Sequence, residues 1–410
     1  MKSLFKTVAL ITVFSVLTRV LGFVFRIILS RVVGAEGLGL YQVASSVFMV
    51  LLTVLSSGLP LIISRMCASF LVKNERQKEG SYIAVALIYT LSLSLFLCLI
   101  VLLFKDLFNL VFTEDLCYKI LLIMLPSLIF SSVYSVFRGA LWGKGNYFAL
   151  CVSEFYEQLV RIVVGVLLIS QTFSAIENAL NLGWSMTIAC FLSMLLVVLL
   201  YFYYGGSLKR PKKEYIKPLV KQSTPITIMR VAGSFIQPLI ALIVPARLMA
   251  IGYTSSQSLS LYGIAVGMTL PLIYIPSTII GSLSTALVPD ISKAVAQNDA
   301  SHIEKRITSS ISFALLVSAL FVPMFLGMGE QIGLFLYDNI LSGTLLQSAS
   351  WVLLPLGITN ITSALLNSLG LENRSFINFF FGALGMFASL WILPSLLGIN
   401  SIICGMGINY

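Results

Sequence analysis

Charged side chains are scarce in this 410-residue chain: they make up 10% of it against 58% hydrophobic residues, where a soluble protein carries about 25% charged residues. A soluble fold has nowhere to hide that much apolar surface, so a soluble domain is excluded. Histidine is nearly absent. The single one, His302, falls in a polar loop, so neither a histidine-based metal site nor a Ser-His-Asp triad can be assembled. The six cysteines, Cys67, Cys98, Cys117, Cys151, Cys190 and Cys404, are scattered without any C-x-x-C spacing. They read as small apolar fillers. There is no G-x-x-x-x-G-K-[ST] nucleotide loop either. These absences remove most enzymatic chemistries and predict no metal and no cofactor. Membrane potential or an ion gradient is left as the energy source for any transport, since each charge moved gains about 2.3 kcal/mol per 100 mV.

Hydrophobic runs are what the chain has in quantity, with a mean hydropathy of +0.99. Crossing a ~30 Å hydrocarbon core takes about 20 helical residues. Runs of that size lie near 7–33, 39–70, 81–104, 116–142, 148–171 and 181–204, then near 222–250, 260–287, 308–328, 344–367 and 376–397, with a last one starting near 399. Lys2 and Lys6 before the first run resemble a signal peptide. The run continues to about Ser30, however, contains Arg19 and Arg26 and offers no small-residue cleavage site, so it is expected to stay as the first helix. The fold class is therefore an all-α polytopic membrane protein of about twelve transmembrane helices. Residues 1–206 form an N-terminal six-helix lobe, 207–221 a basic cytoplasmic linker and 222–410 a C-terminal lobe of the same orientation.

Orientation follows from lysine and arginine. With the N-terminus in the cytoplasm most of the 26 basic residues fall inside, as the positive-inside rule requires. The acids Asp106, Glu114, Asp115, Glu330 and Asp338 then lie outside, and the basic stretch from Lys209 to Lys221 lies inside as a topology determinant resting on anionic lipid. The net charge of +10 thus needs no nucleic-acid partner.

The two halves echo each other in three ordered places. Arg19-Val20-Leu21-Gly22 matches Arg230-Val231-Ala232-Gly233, Leu40-Tyr41-Gln42-Val43-Ala44 matches Leu261-Tyr262-Gly263-Ile264-Ala265, and Leu125-Pro126 matches Leu354-Pro355. Repeats that move against one another are a common transporter plan, and six spans per half relate them by an axis along the membrane normal.

An ionisable group in a span costs roughly 2.5–3.5 kcal/mol, which makes it a functional candidate by default. Arg19 and Arg26 are seven apart, two turns along one helix face, and their repeat counterparts are Arg230 and Gln237. A guanidinium stays charged and grips phosphate oxygens in a fork, so this stripe suits an anion in a central cavity. Arg31 and Arg247, near span ends, read as snorkelling side chains. Arg65, late in its span, stays open between the two roles. Glu154, Glu157 and Arg161 share one face of the fifth span. Glu157 and Arg161 form an i, i+4 pair, while Glu154 shows no obvious partner and is the better candidate for ion coupling. Asn360 and Asn367, also seven apart, either face the cavity or bond neighbouring helices.

Four segments together carry a family resemblance: Leu17-Thr18-Arg19-Val20-Leu21-Gly22-Phe23, Gly37-Leu38-Gly39-Leu40-Tyr41, Arg138-Gly139-Ala140-Leu141-Trp142-Gly143 and Glu157-Gln158-Leu159-Val160-Arg161. They resemble the polysaccharide-transporter branch of the multidrug, oligosaccharidyl-lipid and polysaccharide (MOP) exporter superfamily, in particular the stage V sporulation protein B group. The resemblance implies a multi-pass protein of the bacterial plasma membrane that flips an undecaprenyl-pyrophosphate-linked saccharide, a peptidoglycan precursor or a related envelope or spore-cortex glycan, by alternating access. Its implied partners are the lipid-linked saccharide and the bilayer, with cell-wall synthesis proteins as further candidates. Lipid II flippases of the superfamily use cavity arginines on their first and seventh helices, where Arg19, Arg26 and Arg230 stand here. The family carries twelve to fourteen helices, so the end of the C-terminal lobe is expected to be missing beyond Tyr410. The multidrug branch keeps an acid in its first helix, and none lies between Met1 and Ala35. That makes a drug and cation antiporter the weaker alternative, and a membrane glycan polymerase or ligase, which would need a large external loop, weaker still.

Overall fold

The computed structural model describes residues 2–106, 108, 112, 114–297, 299–369 and 371–410; side chains 1–9, 284–286, 288–290, 292, 293, 295, 296, 372 and 373, among them those of Lys2 and Lys6, lie outside the described set. Every regular element among the described residues is helical. That is what hydrocarbon demands of single segments, because each backbone N–H and C=O must find its partner within the span.

Nine segments of the described residues are long and apolar enough to cross a membrane. The first, Leu10–Val72, has 63 residues, about 95 Å of helix and too long for one crossing. Its helix α1 (Lys2–Ser56) is broken at Gly34, where φ is 77° and ψ 174°. The chain then bends at Gly58 into α2 (Leu59–Val72), with Pro60 in its first turn. Next come α3 (Arg76–Leu103), α4 (Asp115–Gly143), α5 (Tyr147–Leu168) and α6 (Ala175–Tyr203). With 22 residues α5 is also long enough to cross, but it alone carries Glu154, Glu157 and Arg161. A capping box starts α6: the Ser174 hydroxyl accepts the Glu177 N–H while the Glu177 carboxylate accepts the Ser174 N–H.

Residues brought together by packing show which spans run the same way. Phe14 meets Phe148 and Phe155, and Phe25 lies where a Cβ on Gly165 would fall, so the first part of α1 and α5 are parallel. Gly139 and Gly143 of α4 pack on Pro60, Ser64 and Cys67 of α2. Thr187 of α6 donates to the Ile123 carbonyl of α4, and Phe137 touches Tyr201 further along. Tyr118 of α4, by contrast, donates back to the Val101 carbonyl of α3. The first six crossings therefore alternate in direction, as a six-span half requires. The glycines at these crossings are small because backbone faces backbone there: a Cβ on Gly143 would lie 2.5 Å from the Ser64 carbonyl oxygen.

Packing divides the chain into two compact units, Met1–Leu242 and Ile243–Tyr410. Sequence symmetry places the helix after the linker, α7 (Ile216–Ser234), in the second half, whereas its packing is with the first unit. Leu219 joins the core of Ile63, Tyr82, Phe137 and Tyr201, and Gly58 sits against Ser223 and Thr227. The next helix, α8 (Ile236–Ala250), carries the boundary between the units.

The second unit continues with α9 (Ser255–Tyr262), a π-helical turn at Gly263–Thr269, α10 (Leu270–Ala296), α11 (Ala300–Tyr337), α12 (Ile340–Ala349), α13 (Leu353–Ser368), α14 (Glu372–Ile392), α15 (Pro394–Leu397) and α16 (Ser401–Asn409). Ile280 and Ile291 of α10, Ala314 of α11 and Ile361 of α13 are its central contacts. The π turn falls on the second copy of the repeated Leu-Tyr-x-x-Ala element, while the first copy, at Leu40–Ala44, is regular helix.

Candidate functional site

The polar residues of the spans in the first unit fall into two sets. The first set is neutralised. Glu157 and Arg161 of α5 form an ion pair at 2.5 Å, each side chain about a quarter exposed. Glu154 is also paired: Arg138, on the neighbouring helix α4, reaches its carboxylate. This corrects the expectation that Glu154 stands alone. The hairpin between α4 and α5 turns at Lys144–Asn146 and places the two residues opposite one another. Tyr134 and Ser153 link the same two helices at 3.2 Å, and the Ser185 hydroxyl of α6 donates to the Arg161 carbonyl at 3.0 Å. Gln158 faces α1, its amide nitrogen 3.4 Å from where a Cβ on Gly22 would lie. The face of α5 is thus a self-compensating polar belt, bonded to α4 and α6 and packed on α1.

The second set, Arg19, Arg65 and Arg230, is cationic and uncompensated among the described residues. Arg19 on α1 and Arg230 on α7 are exposed, as is Arg65 on α2. Among the described residues none of the three has an ion-pair or hydrogen-bond partner. Arg26, two turns further along the same helix, is half-buried, and Gln237 on α8 is exposed. The neighbours of Arg19 and Arg230 are exposed apolar side chains, Val16 and Val20 in one helix, Ile228 and Met229 in the other. These guanidinium groups therefore stand on faces that a membrane protein turns to lipid or to a cavity. Arg19, Arg26, Arg65, Arg230 and Gln237 all fall within the first unit.

In the second unit the amide of Asn360 on α13 donates to the Ser277 hydroxyl of α10 at 3.0 Å, an interhelical bond; Asn367 is exposed. Arg247 stacks over the Trp391 ring at 5.0 Å, in keeping with an interfacial anchor. Arg138 is the residue the sequence reading left out of the site. Its signal was present: an arginine inside a span, followed across a tight turn by an unpartnered glutamate.

The fold matches that of solved membrane transporters. A solved inward-facing multidrug resistance MATE family transporter of the MOP superfamily superposes with a TM-score of 0.76 at 14% identity, covering 96% of this chain and 91% of that one. The lipid II flippase MurJ in an inward closed conformation gives 0.74 at 15% identity, covering 98% and 85%. The architecture is thus that of MOP-superfamily transporters. The polysaccharide biosynthesis protein family model matches residues 4–295, and the chain belongs to that family. Stage V sporulation protein B of Bacillus subtilis (strain 168) is 28% identical over 393 residues, 92% of this chain and 75% of that protein.

Proposed function

We propose that this chain is a flippase, not an enzyme, and that it carries a lipid-linked saccharide pyrophosphate across the bacterial plasma membrane by alternating access, with its N-terminus in the cytoplasm. One observation carries the reading: in the spans of the first unit the acids Glu154 and Glu157 are each matched by an arginine, while Arg19, Arg65 and Arg230 are left over. A site with surplus guanidinium charge in low dielectric attracts a diphosphate and repels a lipophilic cation. Arg19 and Arg230 would hold the pyrophosphate, Arg26, Arg65 and Gln237 would extend the polar surface for the saccharide, and the lipid tail would stay in the bilayer. Substrate drives such a cycle only by binding its two states differently, so the free arginines must gain partners in one of them. Similarity to a sporulation protein and to a lipid II flippase supports an envelope or spore-cortex glycan as cargo. Glu154 can serve ion coupling only by exchanging Arg138 for a proton or cation during the cycle.

The test is binding of purified full chain to an undecaprenyl-pyrophosphate-linked saccharide and, separately, to a lipophilic cation. We expect the saccharide lipid to bind, and Arg19→Ala and Arg230→Ala each to weaken it by about tenfold or more, the worth of one charge-assisted phosphate contact. Cation binding indifferent to both substitutions would overturn the flippase and favour an antiporter on the same fold.

A further inference from the structure

One end of the first unit is tied together by side chains that lie outside the proposed cargo site. Glu79 in the first turn of α3 pairs with Lys144 after α4 at 3.1 Å, with only 6% and 9% of the two side chains exposed. The Lys144 ammonium also lies 4.7 Å over the ring of Tyr201. The Tyr201 hydroxyl donates to the Ser207 carbonyl at 3.1 Å and accepts the Ser207 N–H at 3.2 Å. Tyr215 packs edge-on against both Phe70 and Tyr82. Gly80 lies so close that a Cβ there would be 2.5 Å from the Ser207 carbonyl oxygen. Residues 201–215 are therefore no loose tether. They are laid along the 71–78 turn and held at several points.

What this arrangement displays is both basic and apolar. Lys209, Arg210, Lys212 and Lys213 are exposed on the linker, with Lys73 and Arg76 on the adjoining turn. Of the acids in the two segments, the half-buried Glu75 pairs with Lys78 at 2.7 Å, and Glu214 lies 3.9 Å from Lys212 in a loose, exposed pair that a lipid phosphate can displace. Between the cations stand Val72, 89% exposed, and Tyr203, 82% exposed, with Leu208 and Ile216 also outward. All of this lies where α2, α3 and α6 leave the apolar layer. An acidic protein would match the charge but not the apolar side chains at the level of the span ends. Cationic side chains over an apolar row are what a headgroup boundary accommodates.

We propose that this rim is a binding site for anionic phospholipid headgroups, with Lys209, Arg210, Lys212 and Lys213 on the phosphates and the exposed apolar side chains set among the acyl chains. The inference rests on the membrane-spanning reading of α3 and α6, and not on the cargo or on which face the N-terminus occupies. The experiment uses the full chain in nanodiscs of phosphatidylcholine carrying trace spin-labelled phosphatidylglycerol or spin-labelled phosphatidylcholine, and reads the fraction of each label slowed at the protein. A nanodisc exposes both faces alike, so orientation does not enter. We expect phosphatidylglycerol to be preferred by about threefold or more, and the preference to shrink as salt shortens the screening length to ~3 Å at 1 M. K209Q/R210Q/K212Q/K213Q should bring it close to unity, while the exposed pair K305Q/R306Q on α11 should leave it intact. Equal retention of both lipids by the unaltered chain, or a preference that survives the fourfold substitution, would overturn the proposal. Saccharide-lipid binding measured on the same variants is expected to be unchanged, which keeps a failure of the cargo reading separate from a failure of this one.

Discussion

At the scale of single residues, the pairing of Arg138 with Glu154 takes one arginine and one carboxylate out of the uncompensated charge of the spans. Both side chains are about two-fifths exposed, so they are neither fully desolvated nor free in water, and the pair is worth less than a sealed one. Removing one partner leaves an ionised group in a span with no counter-charge. Removing both leaves none. Arg138→Ala and Glu154→Ala should therefore each lower the thermal midpoint of the detergent-solubilised protein, and the double variant should lower it by less than the sum of the two single losses. The expected coupling is on the order of 0.5–3 kcal/mol, read from a double-mutant cycle. A cycle that closes with no coupling would mean the pair carries no energy, and Glu154 would again be open as an independent carboxylate.

At the scale of elements, Gly34 lets one apolar stretch become two crossings. Its φ of 77° with ψ of 174° belongs to a region that only glycine enters at low cost. No atom lies within 4 Å of where its Cβ would be, so any penalty for a side chain there is conformational and not steric. Gly34→Ala should lower the thermal midpoint by the equivalent of about 1–3 kcal/mol. Gly281→Ala, in helical backbone with equally open surroundings, should leave the midpoint level or raise it. The contrast shows what sequence reading reaches. Spans are legible because an apolar run of about 20 residues has one stable outcome in a bilayer, and the break between residues 33 and 39 fell where polar and glycine residues interrupt the run. The allegiance of α7 was not legible: it depends on Leu219 and on the small residue Gly58 opposite Thr227, contacts between segments far apart in sequence. Arg19, Arg26 and Arg230 stood out because charge in a span is rare. The role of Arg138 was hidden because it is set by a partner on another helix.

At the scale of the whole molecule, the alternation of the first six crossings sorts the loops of that unit onto two ends. Gly37 packs against the Ala175 carbonyl, so the Gly34 break and the turn between α5 and α6 share one end. The pairing of Tyr118 with Val101 puts the region between α3 and α4 there too. That end carries Glu36, Asp106, Glu114, Asp115 and Glu177, whereas the opposite end carries Lys73, Arg76, Lys144 and the basic linker. Translocation of lysine and arginine is what the positive-inside rule opposes, so the linker end should be cytoplasmic. Cysteines introduced as F173C, in the exposed turn before α6, and L208C, in the linker, place this on a measurement, since both native side chains are exposed and the native cysteines are buried or half-buried. A membrane-impermeant maleimide applied to intact cells should label F173C at once and L208C only after permeabilisation. The reverse pattern would invert the protein and turn its basic rim, and its direction of transport, towards the outside.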